Sequence, residues 1–211
     1  MDCRTFGEQL GPIVHGIVRA RHEAERDHFL TSMIVGASFE GWLSFETRFA
    51  LEKARPRFGL DHPRFWIGNE YKKVDLGIVE YDDEHYNDPE RWLAAIEFKV
   101  IYNNKNWEAQ VNGVLADLFP KKHGREDKAA IVGPDRQLAV VAMVQGNFPS
   151  NKYQRELDRD PSWESRVREA LGLAANVQEL SSSPEPLSAG HANLASGESA
   201  KLTVHVLAPH I

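Results

Sequence analysis

The stretch 137–144, QLAVVAMV, constrains this chain more than any other. It is continuously apolar and rich in valine, whereas a strand with one wet face alternates apolar with polar positions. Such a strand is expected to be buried on both faces, within a sheet that has helices packed against it. Phe65-Trp66-Ile67 and residues 73–80 read as strands, the second with Val74, Leu76 and Ile78 alternating against Asp75, Gly77 and Val79. Residues 93–101 read as another, with Ile96, Phe98 and Val100 facing one way and Ala95, Glu97 and Lys99 the other. The run DDEHYNDPE carries turn chemistry in Asn87-Asp88-Pro89 and joins these two strands as an acidic hairpin over 80–90.

Helices are expected around these strands. Residues 12–30 mix apolar and charged positions at helical spacing, with Pro12 suited to a first turn. Ser38 is a candidate cap for a second helix, in which Trp42, Phe45 and Phe49 recur at three- and four-residue steps until Pro56. Asn106 opens a third, with a stripe of Trp107, Val111, Val114, Leu115 and Leu118, and residues 162–171 form a fourth. The aromatic residues of these stripes, Trp42, Phe45, Phe49 and Trp107, are expected in the core. Residues 181–199, rich in Ser, Pro, Gly and Ala, read as a flexible surface loop, and residues 202–207 as a closing edge strand. The class is α/β, a mixed central β-sheet flanked by helices. A length of 211 residues fits a single domain, with N-terminal helices over 11–55 and a core over 56–145.

Composition narrows the function classes. With 42% hydrophobic and 27% charged residues the chain is an ordinary folded protein. Neither a membrane-spanning run nor a secretory start is seen, so a cytoplasmic protein is expected. One cysteine, Cys3, excludes an internal disulfide or a thiolate metal site. Phosphate-loop, dinucleotide-fingerprint, nucleophile-elbow and HExxH motifs are absent, and the nine histidines are scattered. The net charge of −6 is a local matter: residues 61–100 hold five basic and ten acidic side chains, six of these being Glu80, Asp82, Asp83, Glu84, Asp88 and Glu90, which read as a solvated loop. Elsewhere Lys72 with Lys73, and Lys121 with Lys122, form basic knots suited to an anionic ligand.

Two charged residues, Glu97 and Lys99, project from one face of an otherwise apolar strand, and Asp75 stands among hydrophobics in the strand before it. Adjacent strands would bring Asp75 and Glu97 together. Facing carboxylates repel and need a cation, a proton or a base nearby, and Lys99 compensates only partly. A hard divalent ion such as Mg²⁺ suits the oxygen-only donors.

Asp75, then Glu97-Phe98-Lys99, carried by strand, hairpin and strand and followed by a helix, resembles the PD-(D/E)xK nuclease superfamily, whose fold is restriction-endonuclease-like. The resemblance covers about residues 38–145. It implies a metal-dependent nuclease that hydrolyses phosphodiester bonds of nucleic acid, DNA before RNA, with Mg²⁺ or Mn²⁺. It also implies that Asp75, Glu97 and the carbonyl of Phe98 hold the metal and that Lys99 assists the attacking water. Many members add a helix glutamate, matched here by Glu46, with Glu40 second, and some a glutamine on the following helix, matched by Gln110. Val74 replaces the family's proline. Lys72, Lys73, Lys121 and Lys122 would then hold flanking phosphates, and a homodimer would suit cleavage of both strands. The competing expectation is a non-catalytic interaction module of the same fold whose acidic hairpin 80–90 binds a basic partner.

Overall fold

Seven strands form one mixed sheet in the computed structural model, which describes residues 2–25, 39–81, 91–104, 106–124, 132–145, 162–173, 175–189 and 200–210. The strands are β1 (Phe65–Tyr71), β2 (Val74–Glu80), β3 (Arg91–Tyr102), β4 (Gln137–Gln145), β5 (Val177–Ser182), β6 (Leu187–Ala189) and β7 (Ala200–Pro209). Their order is β1-β2-β3-β4-β7-β5, with β6 also paired to β7. All pairs are antiparallel except β3 with β4, which are parallel and separated in sequence by a helix. The helices are α1 (Cys3–Glu25), α2 (Phe39–Lys53), α3 (Trp107–Leu118) and α4 (Trp163–Ala170).

The valine-rich run explains the layering. Leu138, Val140, Ala142 and Val144 of β4 pack with Phe6, Leu10 and Val14 of α1 and Leu43 and Leu51 of α2. The alternate residues Ala139, Val141 and Met143 pack with Val111 and Val114 of α3 and Trp163 and Val167 of α4. Both faces of β4 are therefore dry, as a continuous apolar strand demands. β3 obeys the same period of two, with Ile96, Phe98 and Val100 on the α1–α2 side and Ile101 on the α3–α4 side.

Several expectations are corrected. Helix α1 starts at Cys3, so Pro12 lies inside it and not in its first turn. The missing N–H of Pro12 is tolerated because Phe6, Leu10, Val14 and Val18 bury a full stripe at three- and four-residue steps. Gly7 and Gly11 share that buried face, where a Cβ would run into Leu180 or Ser181 of β5. Trp107 is buried, but Phe45 and Phe49 are 51% and 59% exposed; the face of α2 that meets the sheet is Phe39, Leu43, Ser44, Thr47 and Leu51. Within the expected loop, residues 181–182 complete β5 and residues 187–189 form β6, both held by the backbone of β7, with only 183–186 connecting them. β7 is not an edge strand: it lies between β4 and β5, with Val204 and Val206 facing one layer and Leu207 the other. Glu80, assigned to a solvated loop, is the buried end of β2, gripped by Arg64 at 2.7 Å and Arg91 at 2.5 Å. The proposed cap Ser38, the end of the first helix at 26–30, the acidic run 82–90 and residues 190–199 lie outside the described residues. No helix among the described residues is long and apolar enough to cross a membrane.

Candidate active site

The ladder between β2 and β3 runs from Glu80↔Arg91 to Leu76↔Ile96 and goes no further. Beyond Ile96 the edge of β3 that faced β2 has lost its backbone partner, while the opposite edge stays paired to β4 as far as Tyr102↔Val144. Buried amides need acceptors, and side chains supply them. The amide of Phe98 donates to Asp75 Oδ2 at 2.8 Å, that of Val100 to Glu40 Oε1 at 2.9 Å, and that of Tyr102 to Gln110 Oε1 at 2.8 Å. Three alternate residues of one strand thus draw in a side chain from β2, from α2 and from α3. Because a strand residue directs its N–H and C=O to the same edge, the carbonyl of Phe98 opens where Asp75 sits.

Lys99 is the centre of charge. Its Nζ lies 3.4 Å from Asp117 Oδ2 and 3.9 Å from both Asp75 Oδ2 and Glu97 Oε2. Burial draws the lysine pKa down, but the fields of Asp117, Asp75, Glu97 and Glu40 outweigh burial and hold it above the usual range. Glu97 and Asp117 have side chains only 4% and 3% exposed, whereas that of Asp75 is 37% exposed. The cluster is a buried acidic floor with one cation and one carboxylate at its mouth.

The main chain at Asp75 is fixed as well. Its carbonyl accepts from Ser44 Oγ at 3.0 Å and from Asn69 Nδ2 at 3.3 Å, and Asn69 Nδ2 also donates to the Ser44 hydroxyl. Lys72 and Lys73 form the two-residue turn between β1 and β2, with φ of 49° and 68°. Two adjacent non-glycine residues in the left-handed region make a strained turn of the kind usually given to Asn-Gly.

The residues marked in the sequence are thus partly assembled. Asp75, Glu97, Phe98, Lys99 and Gln110 meet along the open edge of β3. Glu46 does not: it lies on the exposed side of α2, and the α2 carboxylate that reaches the cluster is Glu40. Lys122 is exposed, with its ammonium 4.8 Å above the ring of Phe119; the side chain of Lys121 lies outside the described residues. Asp117, Ser44 and Asn69 were missed. Asp117 had a visible signal, since it is an acid within the apolar stretch Val114–Leu118 and stands seven residues, or two turns, after Gln110 on the same flank of α3.

The donor set is oxygen only: the carboxylates of Asp75, Glu97 and Glu40 and the carbonyl of Phe98. It suits a hard cation such as Mg²⁺, which takes one or two carboxylates and keeps several waters. Among the described residues no group of three or more His, Cys, Asp or Glu side chains is arranged to hold a metal ion.

A second polar chain lies on the α3–α4 side of the sheet, two strands away along the register Lys99↔Val141↔His205. His205 Nδ1 meets Glu179 Oε1 at 2.5 Å, its Nε2 meets Thr203 Oγ1 at 3.0 Å, and Arg168 of α4 binds Glu179 Oε2 at 2.6 Å. The bond from His205 lowers the Glu179 pKa most; Arg168 adds to it against the opposing effect of burial, and the carboxyl falls to about 2. The chain is closed on itself and ties α4 to β5 and β7.

Comparison of the chain with family models, with curated proteins and with solved structures returns no match.

Proposed function

We propose that this chain is a metal-dependent nuclease of the PD-(D/E)xK type, hydrolysing phosphodiester bonds of nucleic acid, with DNA the first substrate to test. The observation that carries this reading is the meeting of Asp75, Glu97 and Lys99 where β3 loses its partner strand. Asp75, Glu97, the Phe98 carbonyl and Glu40, in place of Glu46, would hold Mg²⁺ or Mn²⁺. When bound, such an ion supplies charge against the scissile phosphate and acidifies an attacking water.

The protein's own groups do the rest. The amide of Phe98 and the Ser44–Asn69 clamp fix Asp75 from both ends, so the ligand is oriented before substrate arrives. Lys99 donates hydrogen bonds to the attacking water and offsets charge developing on the phosphate. Lys72 and Lys73 on the β1–β2 turn, with Lys121 and Lys122 after α3, would hold flanking phosphates without reading sequence.

The test is cleavage of plasmid, linear duplex, single-stranded DNA and RNA with Mg²⁺, Mn²⁺ or EDTA. Wild type should cut only with metal, and Asp75→Ala and Lys99→Ala should each lose at least about a hundredfold. No cleavage, together with no calorimetric Mn²⁺ binding that depends on Asp75, would overturn this reading in favour of an interaction module.

A further inference from the structure

Beyond the motif, we propose that Asp117 is the positioning residue that holds Lys99 in place for catalysis; this rests on the nuclease reading above. Lys99 has a flexible four-carbon stem, and a lysine ammonium is a point charge without the fixed fork of arginine, so its position depends on its anchors. Three carboxylates surround it. Asp75 and Glu97 stand at equal distances of 3.9 Å, and both are assigned to the cation. Asp117 is nearer, at 3.4 Å, and of the three it alone comes from a helix outside the motif strands.

The division of labour follows from charge. Were Asp75 and Glu97 to hold a divalent ion, their negative charge would be offset and Lys99 would lose two of its three anchors. Asp117 is then the anchor that keeps Lys99 in the site. Its side chain is 3% exposed, so water competes little for it, and α3 is fixed against β3 through Gln110 Oε1 and the amide of Tyr102, two turns away. A buried carboxylate on a docked helix is a stiff support, as a group acting through another must be.

The experiment compares Asp117→Asn, Asp117→Glu and Lys99→Met in cleavage and in thermal unfolding. Asp117→Asn should lower kcat roughly 10- to 100-fold, since a displacement of about 1 Å costs that much, with KM changed by less than about twofold and Asp117→Glu recovering part of the loss. Without metal or substrate, Asp117→Asn should lower the Tm in the Lys99 background and leave it unchanged, or raise it, in the Lys99→Met background. Lysine-selective NMR of the ammonium should show Lys99 ordered in wild type and mobile in Asp117→Asn. If Asp75→Ala abolishes cleavage while Asp117→Asn keeps wild-type kcat, the positioning role is refuted and the nuclease reading stands. If wild type cuts nothing, the nuclease reading fails and the role falls with it. Coupling in Tm would then mark Asp117–Lys99 as a structural ion pair.

Discussion

Single residues differ in how openly they declare themselves. Asp75, Glu97 and Lys99 were legible because charge in a strand among Val, Ile and Phe is costly and so informative. Which glutamate of α2 joins them was not legible, because Glu40 and Glu46 are both plausible on a helix whose rotation about its axis is unknown. Rotation is settled by Leu43, Thr47 and Leu51, which turn Glu40 toward Val100 and leave Glu46 outside. Glu40→Gln should therefore reduce cleavage at least about tenfold, and Glu46→Gln should leave it within about twofold of wild type; the reverse order in parallel assays would restore Glu46. Asp117 shows in the sequence as an acid within an apolar helix stripe, but its partner does not, because Lys99 lies 18 positions away. Glu179 permits a pH prediction with a definite sign. Its pKa falls from 4.5 in an ordinary carboxyl to about 2 in the fold, so its contribution is complete above 4.5 and is lost as acid approaches 2. In thermal melts from pH 7 to pH 2, wild type should exceed Glu179→Gln above pH 4.5, and the gap should narrow between pH 4.5 and 2; a constant gap would remove the proton-linked part.

Elements were read best where an apolar period is long. β2, β3, β4, α3 and α4 have the bounds that alternation or helical stripes suggest, give or take two residues. The end of β5 at 181–182 and all of β6 read as loop in the sequence because they have little apolar pattern, and their order comes from the amides and carbonyls of β7. The aromatic stripe of α2 misled for the opposite reason: a period identifies a helix, but only neighbours decide which arc is buried. The β1–β2 turn belongs to this scale. Lys72 and Lys73 both occupy the left-handed region, a cost of about 1 kcal/mol or more for each side chain that has to adopt it. Replacing Lys72-Lys73 by Asn-Gly should raise stability by roughly 1 kcal/mol, seen as a higher Tm, while weakening nucleic-acid binding in filter or fluorescence titrations. A lower Tm would show that the lysine side chains earn the strain through contacts of their own.

In the molecule as a whole, the sheet is the frame on which both polar groups are hung, and β7 is its late keystone. Although it is the last strand in sequence, it pairs with β4 from Ala139↔Leu207 to Gln145↔Lys201 and carries β5 and β6 on its other edge. Deleting residues 200–211 should leave no cooperative unfolding transition by circular dichroism; a sharp transition would mean that the β1–β4 half folds alone. The open edge of β3 has one further effect at this scale. Bare strand amides in a row invite a strand from another molecule, the route by which sheet proteins aggregate. Here Asp75, Glu40 and Gln110 occupy the amides of Phe98, Val100 and Tyr102, so the groups proposed for chemistry also close the edge against intermolecular strand addition, and their loss exposes the protein to insolubility as well as to inactivity.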